Sequence, residues 1–216
     1  MRELIEKVEP KEIETRSFEI ITSELGDRQF PDNTELIVKR CIHTSADFDY
    51  ADNLYFSEDV ARRAMDAIKS GASIVTDTNM AKAGINKVSL GKYGGQVHCF
   101  MSDDDVASEA KATGRTRASV SMMKAASMNE PFIFAIGNAP TALVTLYDLI
   151  KEQKINPYLV IGVPVGFVNV VQSKELIISS GVPCIVAKGR KGGSNIAACI
   201  VNALLYMINN DRYYWK

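Results

Sequence analysis

The sequence predicts a three-layer α/β/α domain, doubly wound around a five-stranded parallel sheet, with a helical extension at its N-terminal end. Three observations predict it. Beyond Gly71, short apolar or β-branched runs alternate with helix-length amphipathic stretches, the rhythm of βαβ units. Runs such as FIFAI and YLVIGV are apolar at nearly every position, which suits strands covered by helices on both faces. Before Gly71 the apolar spacing is helical.

Taken in order, the first helix spans Pro10 to Leu25: Ile13, Phe18, Ile21 and Leu25 keep roughly helical spacing, Pro10 suits a first turn, and Gly26 stops it. A second starts near Asn33 and carries Leu36, Ile37 and Ile42, ending at His43, because HTSADFDYADN is too polar and irregular to continue it. A third opens after Ser57, a candidate N-cap, carries Val60, Ala64 and Ile68, and ends at Gly71. The five strands are Ser73 to Thr76, Gln96 to Met101, Phe132 to Ile136, Leu159 to Val163 and Pro183 to Ala187. Helical patterns separate or follow them over Asp105 to Met128 (broken near Gly114), Thr141 to Lys151, Gln172 to Ser179 and Ser194 to Asn209. Right-handed crossovers then gather the strand-to-helix loops on one edge of the sheet.

Composition narrows the function classes. The 216 residues suffice for one sizeable core and, with no repeat or Pro- or Ser-rich linker, read as a single domain over 1–216. With 25 basic and 26 acidic side chains, no global field favours nucleic acid or an anionic membrane. No apolar run approaches the roughly 18 to 20 residues needed to span a bilayer, and MRELIEKVEPKE lacks the apolar stretch of a secretory signal. Cys41, Cys99, Cys184 and Cys199 stand singly, which suggests neither zinc nor a redox pair and fits reduced thiols in the cytoplasm. No metal ligand set is expected.

The chemistry is sought in the loops beyond the carboxyl ends of the strands. Gly137-Asn138-Ala139-Pro140-Thr141 reads as a tight turn opening a helix, with Asn138 as a capping candidate and free N–H groups pointing outward. Pro164-Val165-Gly166-Phe167 follows the fourth run. Gly189-Arg190-Lys191-Gly192-Gly193-Ser194-Asn195 follows the fifth and offers glycines, a helix start and two cations to a carboxylate or phosphate. The GNAPT loop can equally be a plain connection, a reading that suits GRKGGSN less well. No P-loop, G-x-S-x-G or H-E-x-x-H pattern occurs, which counts against nucleotide, α/β-hydrolase and zincin chemistry.

Only two histidines can exchange a proton near neutrality. His98, inside the strand run QVHCFM, reads as structural. His43 closes the second helix one turn after Arg40, where catalysis and simple stabilisation by the helix dipole weigh equally. Asp47, Asp49 and Asp52 do not follow the spacing of a calcium loop, so a solvated or histidine-orienting role is expected. Arg16, Arg40, Arg115, Arg117, Arg190 and Lys191 are each ordinary surface charges taken singly; together around one crevice they would suit a large ligand with many carboxylates.

Several ordered motifs resemble the precorrin-8X methylmutase family, including the cobalt-precorrin-8 methylmutases. They are Arg16-Ser17, Arg40 to Thr44, TRAS, AIGNAPTAL from Ala135, PVGFV followed by SKE, and GRKGGSN, and the likeness spans nearly the whole chain. The resemblance implies His43 as catalytic residue and Ser17, Arg40 and Arg117 as substrate contacts. It also implies a flavodoxin-like fold and a homodimer with the site near the subunit interface. Asn169, Gln172 and Lys191 depart from the family pattern and blur the roles of their loops. The implied reaction is a 1,5-sigmatropic methyl shift from C11 to C12 of a polycarboxylate tetrapyrrole, with no cofactor and with cobalt present only as part of the substrate. Two competitors remain open: a cofactor-using α/β methyltransferase and a non-enzymatic corrinoid carrier.

Overall fold

A computed structural model describes residues 6–10, 12–128 and 130–209, so the outermost parts of the expected 1–216 domain lie outside it. The N-terminal part folds as α1 (Ile13–Leu25), α2 (Glu35–Ser45), a single turn α3 (Tyr50–Asn53), strand β1 (Leu54–Phe56) and α4 (Val60–Lys69). Then follow β2 (Ile74–Thr76), α5 (Asn79–Gly84), α6 (Lys87–Gly91), β3 (Val97–His98), α7 (Asp104–Thr113) and α8 (Arg117–Ser127). The described residues finish with β4 (Ile133–Ile136), α9 (Pro140–Lys151), β5 (Leu159–Gly162), α10 (Val170–Ser179), β6 (Cys184–Ala187) and α11 (Ser194–Asn209).

The sheet has six strands in the order β1-β6-β5-β4-β2-β3, where five parallel ones were expected. The five expected strands are all present and parallel to one another, the second shortened from Gln96–Met101 to Val97–His98. The sixth, β1, runs antiparallel along β6, with Leu54 opposite Ala187 and Phe56 opposite Ile185. Ser57 prolongs this pairing instead of capping a helix: its N–H donates to the Cys184 carbonyl at 3.0 Å and its hydroxyl accepts from the Cys184 N–H at 2.9 Å. The cap position of α4 falls to Asp59, in the left-handed region at φ 54°. The stretch read as a polar loop therefore holds a helical turn and leads into an edge strand. Between β2 and β3, α5 and α6 form where no helix was expected; Thr78 and Asn86 accept from the N–H groups of Ala81 and Ser89 and so cap these short turns.

Alternate strand residues face opposite layers. Ile133, Ala135, Ile161 and Ile185 join a core with α1, α2, α4 and α11, whereas Phe134, Ile136, Val160 and Val186 pack against α8, α9 and α10. The sheet thus separates two helical layers, and α2 and α8 lie on opposite sides of it. All four cysteines are buried and free. Among the described residues no helix is long and apolar enough to cross a membrane, and no cluster of histidine, cysteine or acid is placed to hold a metal ion.

Candidate functional site

Packing of α1 on α2 brings Arg40 and His43 together against Phe18, with Ser17 next to Phe18 in the chain; of these three predicted site residues Arg40 alone lines the neighbouring cleft. Arg40, one of the buried charges at 8% exposure, has its guanidinium 5.3 Å from the Phe18 ring centre and 4.4 Å from that of Tyr206. Glu14 meets it at 2.7 Å. One turn on, His43 is exposed within the last turn of α2, not at its end, and stacks on the other partner of Arg40, Phe18, at 5.4 Å and 26°. Ser17 precedes Phe18 and lies one turn from Glu14; its hydroxyl donates back to the Ile13 carbonyl at 2.8 Å. A cleft of about 300 Å³ opens between α2, α5 and α11, lined by Arg40, Thr44, Asn195, Cys199, Asn202 and Tyr206 among others. Arg16 sits nearby on α1 but is engaged by Glu6 and Glu19, which raise its pKa.

Arg117 is not brought to this face. It opens α8 in the opposite layer, exposed, beside a larger cleft of about 640 Å³ lined by Arg115, Thr116, Ser119, Thr141, Thr145 and Asp148 among others. The cations expected around one crevice are thus divided between the two sides. Arg190 lies over the 83%-exposed ring of Phe167 at 5.5 Å, and Arg115 donates to the Met123 sulfur.

Two loop expectations are overturned. The N–H groups of Gly137, Asn138 and Ala139 do not point outward to a ligand: they donate to the buried carboxylate of Asp77 at 2.9, 2.8 and 2.6 Å. Asp77 follows β2 and fills the anion nest at the point where the strand order reverses, between β2 and β4. Burial pushes its carboxyl up, against the pull of those three donors. Asn138 does not cap α9, whose cap position is Ala139. A Cβ on Gly137 would lie 2.6 Å from the Ser194 Cα, so the GNAPT turn is shaped to let the start of α11 pass.

The acidic cluster is largely solvent-exposed, as expected, and its carboxylates are engaged by cations without touching His43. Asp47 and Asp49 each take the Lys191 ammonium at 2.6 Å, and Asp52 pairs with Arg28. The two carboxylates raise Lys191 to about 12, and Lys191 in turn lowers Asp47. His98 is half-buried and held by ring packing, stacked on Phe100 at 5.8 Å and edge-on to Phe132, with its pKa lowered by burial and then by Lys82.

Residues at these positions that the pattern did not single out are Glu14, Tyr206, Asp77 and Lys174. Lys174 is fully buried on α10 and donates to the carbonyls of Gly189 and Lys191, both at 2.8 Å; burial lowers its pKa to about 8. One usable signal existed for Asp77, an acid placed directly after an apolar strand. Lys174 lies in the SKE stretch that contributed to the family resemblance, but nothing in its ordinary amphipathic pattern announced a buried lysine.

The profile of the precorrin-8X methylmutase family matches residues 12–207. The chain belongs to that family. Among its relatives, the cobalt-precorrin-8 methylmutase of Priestia megaterium is 45% identical over 207 residues, 96% of this chain and 92% of that one. The precorrin-8X methylmutase of Pseudomonas aeruginosa is 35% identical over 191 residues, 88% of this chain and 91% of its own. The crystal structure of precorrin-8X methyl mutase from Thermus thermophilus superposes with a TM-score of 0.84 at 34% identity, covering 93% of this chain and 98% of the other. Membership makes the α1–α2–α11 face the first place to look for methylmutase chemistry, since it holds the exposed imidazole.

Proposed function

We propose that this methylmutase moves a methyl group from C11 to C12 of precorrin-8X, or of its cobalt form, to give hydrogenobyrinate or cobyrinate. The observation that carries the reading is the exposed His43 imidazole on Phe18, one turn from a guanidinium fixed between two rings and a carboxylate. An intramolecular shift requires no methyl donor and no net electron transfer, so the protein contributes geometry and a proton. His43 donates that proton, or a hydrogen bond, to the ring C region as electron density redistributes. Arg40 is held in place ahead of substrate and presents its charge to a peripheral carboxylate without reorganising. Ser17 supplies a further hydroxyl contact by rotating away from the Ile13 carbonyl.

The 300 Å³ cleft is at the small end for ligand sites and accepts one edge of a macrocycle. The rest of the substrate is covered by a second copy of the chain, and Arg117 of that copy reaches the ligand. Its place in the opposite layer of its own chain supports this reading. No external cofactor takes part, and cobalt enters only inside the substrate. Numbered among themselves, the five parallel strands run 2-1-3-4-5, which supports the flavodoxin-like reading. Buried, free cysteines agree with a cytoplasmic protein of one domain.

Incubating the protein with precorrin-8X and no added cofactor tests this. Appearance of the orange-to-red corrin spectrum, with more than one turnover per site, is expected. Binding without turnover would make it a carrier, and dependence on an added methyl donor would make it a methyltransferase. His43→Ala is expected to bind product but lose turnover by ~10²- to 10⁴-fold; wild-type rate in that variant removes His43 from the mechanism.

A further inference from the structure

The loop over residues 189–193 is fixed to the end of the sheet by its backbone. Lys174 holds it from beneath through the carbonyls of Gly189 and Lys191. The Gly193 N–H donates to the Val163 carbonyl at 2.8 Å, and a Cβ on Gly192 would stand 2.0 Å from that same oxygen. From this base the Lys191 side chain crosses to the segment that leaves α2 and binds Asp47 and Asp49.

The link continues into the helix. The Asp49 N–H donates to Asp47 Oδ1 at 3.0 Å, the Asp47 N–H to Ser45 Oγ at 3.3 Å, and the Ser45 hydroxyl to the Cys41 carbonyl at 2.7 Å. Between them Ala46 turns the chain in the left-handed region, its N–H on the Ile42 carbonyl at 2.7 Å. Residues 41 to 46 bracket His43. The imidazole itself makes no hydrogen bond with any described residue; the face of Phe18 is its ring contact. Its position therefore depends on where the last turn of α2 is held.

We propose that Lys191 is a positioning residue for His43, a strut from the sheet edge to the last turn of α2, and not a cation that meets substrate carboxylates. The kinetic part of this inference rests on His43 acting as proposed above. Exposed ion pairs add little to stability, so the strut is expected to act on geometry, to which rate is more sensitive than folding is.

The two histidines make the test direct, because each imidazole gives its own Cε1–H proton resonance. In Lys191→Ala the His43 resonance is expected to move as its stacking on Phe18 loosens, while that of His98, stacked on Phe100, stays in place. With precorrin-8X as substrate, kcat is expected to fall about 5- to 10-fold with KM within about twofold. Lys191→Arg, which keeps both ion pairs, restores resonance and rate. Asp47→Asn combined with Asp49→Asn reproduces the Lys191→Ala effects, and adding Lys191→Ala to that pair makes them no larger. Should Lys191→Ala not fold, the double asparagine variant carries the same readouts. An unmoved His43 resonance overturns the proposal, as does a raised KM at unchanged kcat. The resonances are read without substrate, so failure of wild-type turnover would strike the methylmutase reading and leave the strut to be judged separately.

Discussion

Arg40 sits where packing and charge coincide. A lysine at this position would keep the positive charge and lose the flat guanidinium that lies against Phe18 and Tyr206 while meeting Glu14. Cation–π contacts of this kind contribute roughly 0.5 to 2 kcal/mol each. Arg40→Lys is therefore expected to lower the melting temperature and to raise KM for the tetrapyrrole about tenfold, with kcat changed less, since His43 still stacks on Phe18. Steady-state kinetics at several substrate concentrations checks this; an unchanged KM would mean that charge alone matters at this position. The grouping of Arg40 and His43 was legible because both lie on one helix, a turn apart, whereas Glu14 and Tyr206 reach Arg40 from α1 and α11 and no local spacing announces them.

At the scale of elements, the buried charge of Lys174 supports a pH prediction. Its pKa stands at about 8 in the folded chain against an ordinary 10.5, because burial disfavours the ammonium form. Between those values the unfolded chain binds more protons than the folded one, so this residue's contribution to stability rises with pH across the window and is flat below it. Chemical denaturation of wild type and Lys174→Met at pH 7, 8, 9 and 10 is expected to show the difference shifting toward wild type above pH 8; a difference falling with pH would contradict the burial argument. The same helix shows the limits of pattern reading. VVQSKELIIS carries a helical rhythm whichever way its lysine points, and the direction is decided by the carbonyls of a loop 15 and 17 residues away. The five parallel strands were legible since each is a nearly continuous apolar run between glycine- or proline-marked turns. β1 was not, because its three residues are all half-buried at an edge and its pairing with β6 is non-local. The GNAPT turn was legible as a tight turn with free N–H groups, but the carboxylate that takes them up belongs to Asp77, 60 residues earlier in the chain.

For the whole molecule, the division of the proposed site across the sheet yields the strictest test. His43 and Arg40 belong to the layer of α1, α2 and α11, and Arg117 belongs to the layer of α8 and α9. If a functional unit combines His43 of one copy with Arg117 of another, then His43→Ala and Arg117→Ala homodimers each lack a complete site. Mixed dimers contain one site with both substitutions and one with neither. Random reassortment of equal amounts makes half the dimers mixed, so mixing two inactive proteins after mild dissociation should recover about a quarter of wild-type turnover per chain. The recovery should follow the rate of subunit exchange and be absent when the two variants are kept as separately cross-linked dimers. No recovery, with exchange demonstrated by a labelled chain, would mean that His43 and Arg117 serve the same copy or that one of them is dispensable. Sedimentation of the wild-type protein as a monomer at assay concentration, with full turnover, would remove the second copy from the site altogether.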